Sequence, residues 1–215
     1  MALLSEFGFN ERSGPRSRDS SGNSRSLATT NDITSWELAN PRSGPSAART
    51  QHVGQPGPNT SQVNWTMMAW VMRTGAWTGF AAAFGKDSCY VEVTDTTTFQ
   101  IQFYGGTSNN LTSGAANQLT LNTWRHIAVT RDAAGTLLYV DGVLQGINQP
   151  NLAQNFGSGT WGVALTSVTA VEDADFNGAV SDFRIFDTTL TAAEVAAYRD
   201  LPVLPGQRHG AKSAR

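Results

Sequence analysis

Apolar and polar residues alternate strictly from Thr98 to Tyr104, with Phe99, Ile101 and Phe103 on one face and Gln100, Gln102 and Tyr104 on the other. Successive side chains of a strand point to opposite faces, so this pattern predicts a half-buried strand. The stretch Trp124–Leu144 (WRHIAVTRDAAGTLLYVDGVL) carries two more period-two runs, parted by small and polar residues and closed by Asp141-Gly142. An Asp-Gly step takes positive φ readily, which suits a tight hairpin turn. Trp65–Arg73 (WTMMAWVMR) is apolar on both faces and predicts a strand covered on both sides. Shorter strand signals occur at Leu3–Phe9, Trp161–Leu165 and Ala179–Phe186, and at Phe80–Phe84 and Ser88–Thr94 around Gly85-Lys86-Asp87. About a dozen short strands at even spacing predict an all-β, antiparallel β-sandwich.

One helix interrupts the strands. Thr191-Ala-Ala-Glu194 is a capping box, and Leu190 just before the cap can pack on Val195. The helix should run Ala192–Arg199 and stop near Leu201-Pro202, because proline cannot continue it. Residues up to about Thr60 are polar and rich in Ser, Arg, Gly and Pro, and Gln145–Thr160 reads as a loop. The expected organisation is one domain over residues 1–203 and a tail over 204–215.

The order of these pieces carries a resemblance. Asp19-Ser20-Ser21-Gly22-Asn23 is followed by Met68-Ala69-Trp70-Val71, the Trp124 hairpin, Phe176-Asn177-Gly178-Ala179-Val180-Ser181-Asp182-Phe183-Arg184-Ile185-Phe186, and the capped helix. In this order they resemble laminin G-like and pentraxin-like domains, which have the concanavalin A-like jelly-roll fold, over residues 3–201. Each motif alone is weak, but together they are specific. The resemblance implies that the polar amino-terminal part folds into the sandwich as edge strands and loops. Arg125 stands where the family usually has His, and Ser181 where it often has the first of two Asp. The resemblance also implies calcium as the one candidate ion, with Asp19, Asn23 and Asp182 as its ligands. Calcium takes six to eight oxygens, several from carboxylates, so Ser181 leaves this set short of charge. The competing reading is an Asx-type turn at Asp19 and Asn23. No cofactor is required.

Composition narrows the function. The 215 residues are 40% hydrophobic and only 15% charged, with net charge −2 and no long run of either sign, so the footprint of a nucleic-acid binder is missing. No stretch is long and apolar enough for membrane insertion. Cys89 is the only cysteine, which excludes an intramolecular disulfide, and its strand-like setting reads as core. The first residues lack the pattern of a secretory signal, so folding in a cytosol is expected.

Catalytic patterns are poor. Jelly-roll glycosidases carry E-x-D-x-x-E on one strand; Glu172, Asp173 and Asp175 come nearest, with the wrong spacing and in an apparent loop. His52, His126 and His209 have no metal-ligand spacing, and His126 reads as scaffold. Binding is better supported. Trp77, Tyr104, Trp161 and Trp36 lie in or beside loops, with Asn109, Asn110 and Gln145 as polar partners for a carbohydrate or a protein. The competing reading is core or rim packing.

The sequence-based expectation is therefore a non-enzymatic virion component of the bacteriophage type. It would be a capsid decoration or minor tail protein held by other virion proteins, released by lysis, and able to form homo-oligomers through its edge strands. The alternative is a lectin for host-surface glycans.

Overall fold

The computed structural model describes residues 3–7, 16–18, 21–23, 26–29, 39–40, 44–45, 52–54, 63–76, 81–86, 89–93, 101–104, 111–112, 118–149, 161–163 and 176–201. The amino-terminal strands are β1 (Leu3–Phe7), β2 (Arg16–Arg18), β3 (Ser26–Thr29), β4 (Ala39–Asn40), β5 (Gly44–Pro45) and β6 (His52–Gly54). The middle of the chain forms β7 (Trp65–Arg73), β8 (Ala81–Lys86), β9 (Cys89–Val93), β10 (Ile101–Tyr104) and β11 (Leu111–Thr112). Then come β12 (Trp124–Asp132), β13 (Gly135–Val140), β14 (Val143–Gln149), β15 (Trp161–Val163), β16 (Gly178–Phe186) and α1 (Ala192–Asp200).

Two antiparallel sheets face each other. One has the order β1-β16-β7-β12-β13-β14, the other β11-β10-β9-β8-β15-β6-β3-β2, and β4-β5 form a small separate pair. This is the expected all-β sandwich, with one short helix among the described residues. The polar amino-terminal part supplies edge strands to both sheets, as the resemblance implied.

The predicted alternation sets the core. Ile101 and Phe103 of β10 are buried against Trp65, Met67, Ala69 and Val71 of β7 and Ile127 and Val129 of β12. Phe183 of β16 is central: its ring lies 5.6 Å from Phe84, 6.4 Å from Phe7 and 6.4 Å from Trp161. Offset and tilted ring pairs at such distances contribute about 0.5–1.5 kcal/mol each beyond their buried area.

β16 reaches this arrangement through a bulge. Its pairing with β7 shifts between Ser181 and Arg184, and Asp182 adopts φ 52. Residues Val180 and Phe183 both face the core, although they are not an even number of positions apart. The extra residue at the bulge resets the alternation. Asp is among the few residues other than Gly that tolerate this conformation.

The Trp124 stretch forms a three-stranded meander rather than a single hairpin. β12 and β13 meet at a turn where Asp132 Oδ1 accepts from Ala134 N (2.7 Å) and Gly135 N (3.2 Å). Asp141-Gly142 then turns β13 into β14, with φ 50 and 77 as the Asp-Gly signal required. At Gly85 the structure differs from the expected turn, because β8 continues through it to Lys86. Gly85 permits close approach instead, since a Cβ there would lie 2.4 Å from Tyr90 Cα.

α1 lies against the outer face of the six-stranded sheet. Its capping box forms as expected: Glu194 N donates to Thr191 Oγ1 and the Glu194 carboxylate accepts from Thr191 N. That backbone bond holds the Glu194 carboxyl below its ordinary pKa. The cap is thus complete above the carboxylate range and lost as pH falls through the lowered value. Leu190 and Val195 join Met68, Ala128, Tyr139 and Phe186 in a second buried cluster beneath the helix.

Thr66 secures the helix approach. Its hydroxyl donates to Thr188 O (2.8 Å) and accepts from Leu190 N (2.9 Å), and its side chain is fully buried. Thr66→Val keeps the shape but strands both backbone groups, so it should destabilise the fold by about 1–3 kcal/mol. Urea unfolding of the variant and parent measures this, and equal midpoints would show that the contact contributes nothing.

Candidate functional site

The outer face of the six-stranded sheet carries an aromatic surface that α1 covers only in part. On β7, Thr66, Met68, Trp70 and Met72 point outward, and cross-strand pairing sets Trp70 opposite His126 and Ser181. One row along, Met72 sits between Trp124 and Ala179. Apolar residues on both faces of β7 thus have two causes: the inner set fills the sandwich, and the outer set needs its own cover. Met68 receives it from the helix, while Met72 and Ala179 receive it from Trp124. Trp70 meets the buried His126 ring edge-on at 5.4 Å. Trp70 and Trp124 both remain only half-buried.

Charged side chains lie beside this floor and at the strand end next to it. Asp141 Oδ2 pairs with Arg125 Nη1 at 2.6 Å and its Oδ1 accepts from His126 N at 2.9 Å. Arg199 Nη1 of α1 donates to Asp141 O, so the helix end is tied to the β13–β14 turn. Gly142 fits beneath the helix there, where a Cβ would lie 3.1 Å from Arg199 Nη1 and 3.4 Å from Ala196 Cα. Arg199 also holds Asp200 through two bonds of 2.8 Å, which raise its pKa further. On the opposite side, Arg184 donates to Glu6 Oε1 at 2.7 Å, lies 3.9 Å from Asp182 Oδ2, and sits 5.7 Å from the Tyr198 ring centre.

The surface therefore combines flat apolar rings with hydrogen-bond donors and acceptors at its margin. Such a combination holds a polyhydroxylated ligand by stacking and peripheral hydrogen bonds. Among the described residues, no three His, Cys, Asp or Glu side chains come together to hold a metal ion.

The residues singled out from sequence are placed differently. Trp161 is a correction: it is fully buried in β15, because its ring points between the two sheets and packs on Phe183 of the other one. Tyr104 ends β10, paired with Tyr90 in the eight-stranded sheet, and so belongs to the other layer from Trp70. Gln145 accepts from Gln118 Nε2 and donates to Val143 O. Trp36, Trp77, Asn109, Asn110, Glu172, Asp173 and Asp175 lie outside the described residues.

Of the calcium set, the structure describes Asn23 and Asp182, and they lie apart. Asp19 lies outside the described residues. The Asn23 amide nitrogen donates to Leu3 O and Leu4 O (3.0 Å each), and Ser21 Oγ donates to Leu4 O (3.2 Å). Asn23 thus sits at the Leu3 end of β1, whereas Asp182 adjoins the Phe7–Phe183 pair at the other end. At about 3.3 Å per strand residue, the two are separated by on the order of 10 Å. Asp182 faces the Arg184 guanidinium and occupies the bulge, so these residues do not fit a shared calcium ion.

Trp70 and Trp124 were missed as site residues. A signal existed in the like parity of Trp124 and His126, but pairing with Trp70 depends on a register that sequence does not display.

Two packed antiparallel sheets with a helix strapped to one outer face define a lectin-type β-sandwich. The chain belongs to the laminin G-like family of the concanavalin A-like lectin/glucanases superfamily, which matches residues 46–196. Solved structures agree. Botulinum neurotoxin type C, whose cell entry is described as dependent on two ganglioside molecules, is 14% identical with a TM-score of 0.62 over 92% of this chain and 50% of the toxin chain. Trypanosoma rangeli sialidase with 2,3-difluorosialic acid is 14% identical with a TM-score of 0.67, over 96% of this chain and 34% of the enzyme chain. Domain 4 of the Geobacillus stearothermophilus arabinanase AbnA, in complex with arabinotriose, is 14% identical with a TM-score of 0.61, over 91% of this chain and 97% of that domain. The chain thus spans about half of the toxin chain and a third of the sialidase chain. At these identities the likeness establishes the fold. Sequence comparison with curated proteins gives no match.

The burial difference between the tryptophans can be measured. Trp161→Ala should cost about 3–5 kcal/mol, and Trp70→Ala clearly less because part of that ring already meets solvent. Denaturant unfolding of both variants compares them, and equal losses would contradict the assigned burial.

Proposed function

We propose that this sandwich is a non-catalytic glycan-binding module whose ligand lies across Trp70 and Trp124 on the outer face of the six-stranded sheet. One observation carries the reading: two half-buried indoles and the His126 ring share a face that α1 leaves partly open, beside a hydrogen-bonding rim. Sugar rings present C–H faces that stack on indole, and their hydroxyls match the Asp141 and Arg199 groups at the edge. The same fold is found with N-acetylneuraminic acid in botulinum neurotoxin serotype D and with arabinotriose in the arabinanase domain, which supports a sugar ligand. The module would bind and position a ligand rather than cleave it.

The test is a glycan array followed by calorimetry on its hits. Trp70→Ala and Trp124→Ala should each weaken binding by about tenfold or more, the loss expected when a central aromatic contact is removed. Circular dichroism should show both variants folded. Unchanged affinity in both variants would overturn the assignment of this face.

Display on a virus particle beside other virion proteins is a second reading. The lone Cys89 is buried in a sandwich held by its aromatic core, which supports folding in a reducing compartment before release. Mass spectrometry of purified particles should detect the chain at a fixed copy number, hundreds for a capsid decoration or a few for a tail part. Its absence from particles would remove this reading and leave glycan binding standing.

A further inference from the structure

Among the described residues, each guanidinium around the aromatic floor is met by a carboxylate, and this bears on the kind of sugar the face takes. Arg125 alternates with the outward Trp124 and His126 in β12, so it starts from the other face and reaches Asp141 at the strand end, at 2.6 Å. Arg199 is bound by both carboxylate oxygens of Asp200 at 2.8 Å. Arg184 is bound by Glu6 at 2.7 Å and lies 3.9 Å from Asp182. Three guanidiniums are thus met by four carboxylates. Arg73, at the end of β7, alternates with the outward Met72 and donates to Leu119 O, so it turns away from this face.

Resting on the glycan-binding reading, we propose that the face is selective for neutral saccharides over sugars bearing a carboxylate or sulfate. Recognition of an anionic sugar uses a guanidinium fork free to take a planar carboxylate in two parallel bonds. Among the described residues each guanidinium here already meets a carboxylate, and an incoming anion would have to compete with it while others remain within a Debye length. Such like-charge juxtaposition is unfavourable at an interface. A neutral diol meets no such obstacle. An ion pair presents donors from its guanidinium and acceptors from its carboxylate side by side, and adjacent hydroxyls can use both without breaking the pair.

The experiment uses matched probes that differ by one acid group: lactose with 3′-sialyllactose, and a neutral glucan trisaccharide with its uronate counterpart. Affinities of the full chain are measured by calorimetry at low and high salt. The neutral member of a pair should bind about tenfold more tightly than its acidic partner, with less than about a twofold change between the two salt conditions. Asp200→Asn, at an exposed position, releases Arg199 and should narrow the gap for the acidic member without unfolding the chain. Tighter binding of the acidic member, weakening with salt, would overturn the selectivity while leaving glycan binding in place. No binding to any probe or array glycan would overturn both.

Discussion

The contacts of Phe183 with Phe84, Phe7 and Trp161 tie the two sheets together, and they exist because β16 shifts its register by one residue immediately before. Without that shift the parity of the strand would send Asp182 and Arg184 into the sandwich and turn Phe183 and Ile185 outward. Burying two charged groups without matched partners costs far more than a single αL residue does. The bulge is therefore the cheaper solution, and the αL tolerance of Asp makes it available. Much else follows from the corrected register. Arg184 reaches Glu6 and Tyr198, Phe186 lies under α1, and Ser181 stands beside Trp70.

The outer face shows how a sheet with two apolar sides is satisfied by one short helix. α1 spans only Ala192–Asp200, and its buried contact centres on Val195. It is anchored at its start by Thr66 and the capping box, and at its end by the bond from Arg199 to Asp141 O. A helix of this length cannot cover the whole width of β16, β7 and β12. What it leaves is closed by broad aromatic side chains, which pack on Met72 and His126 with one side and meet solvent with the other. Indoles suit this position because an apolar body with a polar edge tolerates partial exposure. The candidate binding surface is the part of the sheet that the helix does not reach.

Local signals made much of the fold legible. The alternation at Ile101 and Phe103, the Asp141-Gly142 turn and the Thr191–Glu194 box each depend on a few neighbouring residues, and each appears where expected. Non-local pairing was harder to see. The bulge at Asp182 shows itself only against β7, and Trp161 looks loop-bound until β6 and β8 are found on either side of it. Trp70 was read as one apolar residue among many in its strand, because its exposure is set by where α1 ends. The motif around Ser21-Gly22-Asn23 was correctly noticed, but its described side chains bind the backbone of β1 rather than gathering around an ion with Asp182.

That last contact also finishes the edge of a sheet. Ser21 and Asn23 occupy the carbonyls of Leu3 and Leu4 along the outer edge of β1, so the first positions available to an incoming strand are already taken. The opposite edge of the same sheet is β14. Two short side chains thereby close part of the margin of this layer at its amino-terminal strand.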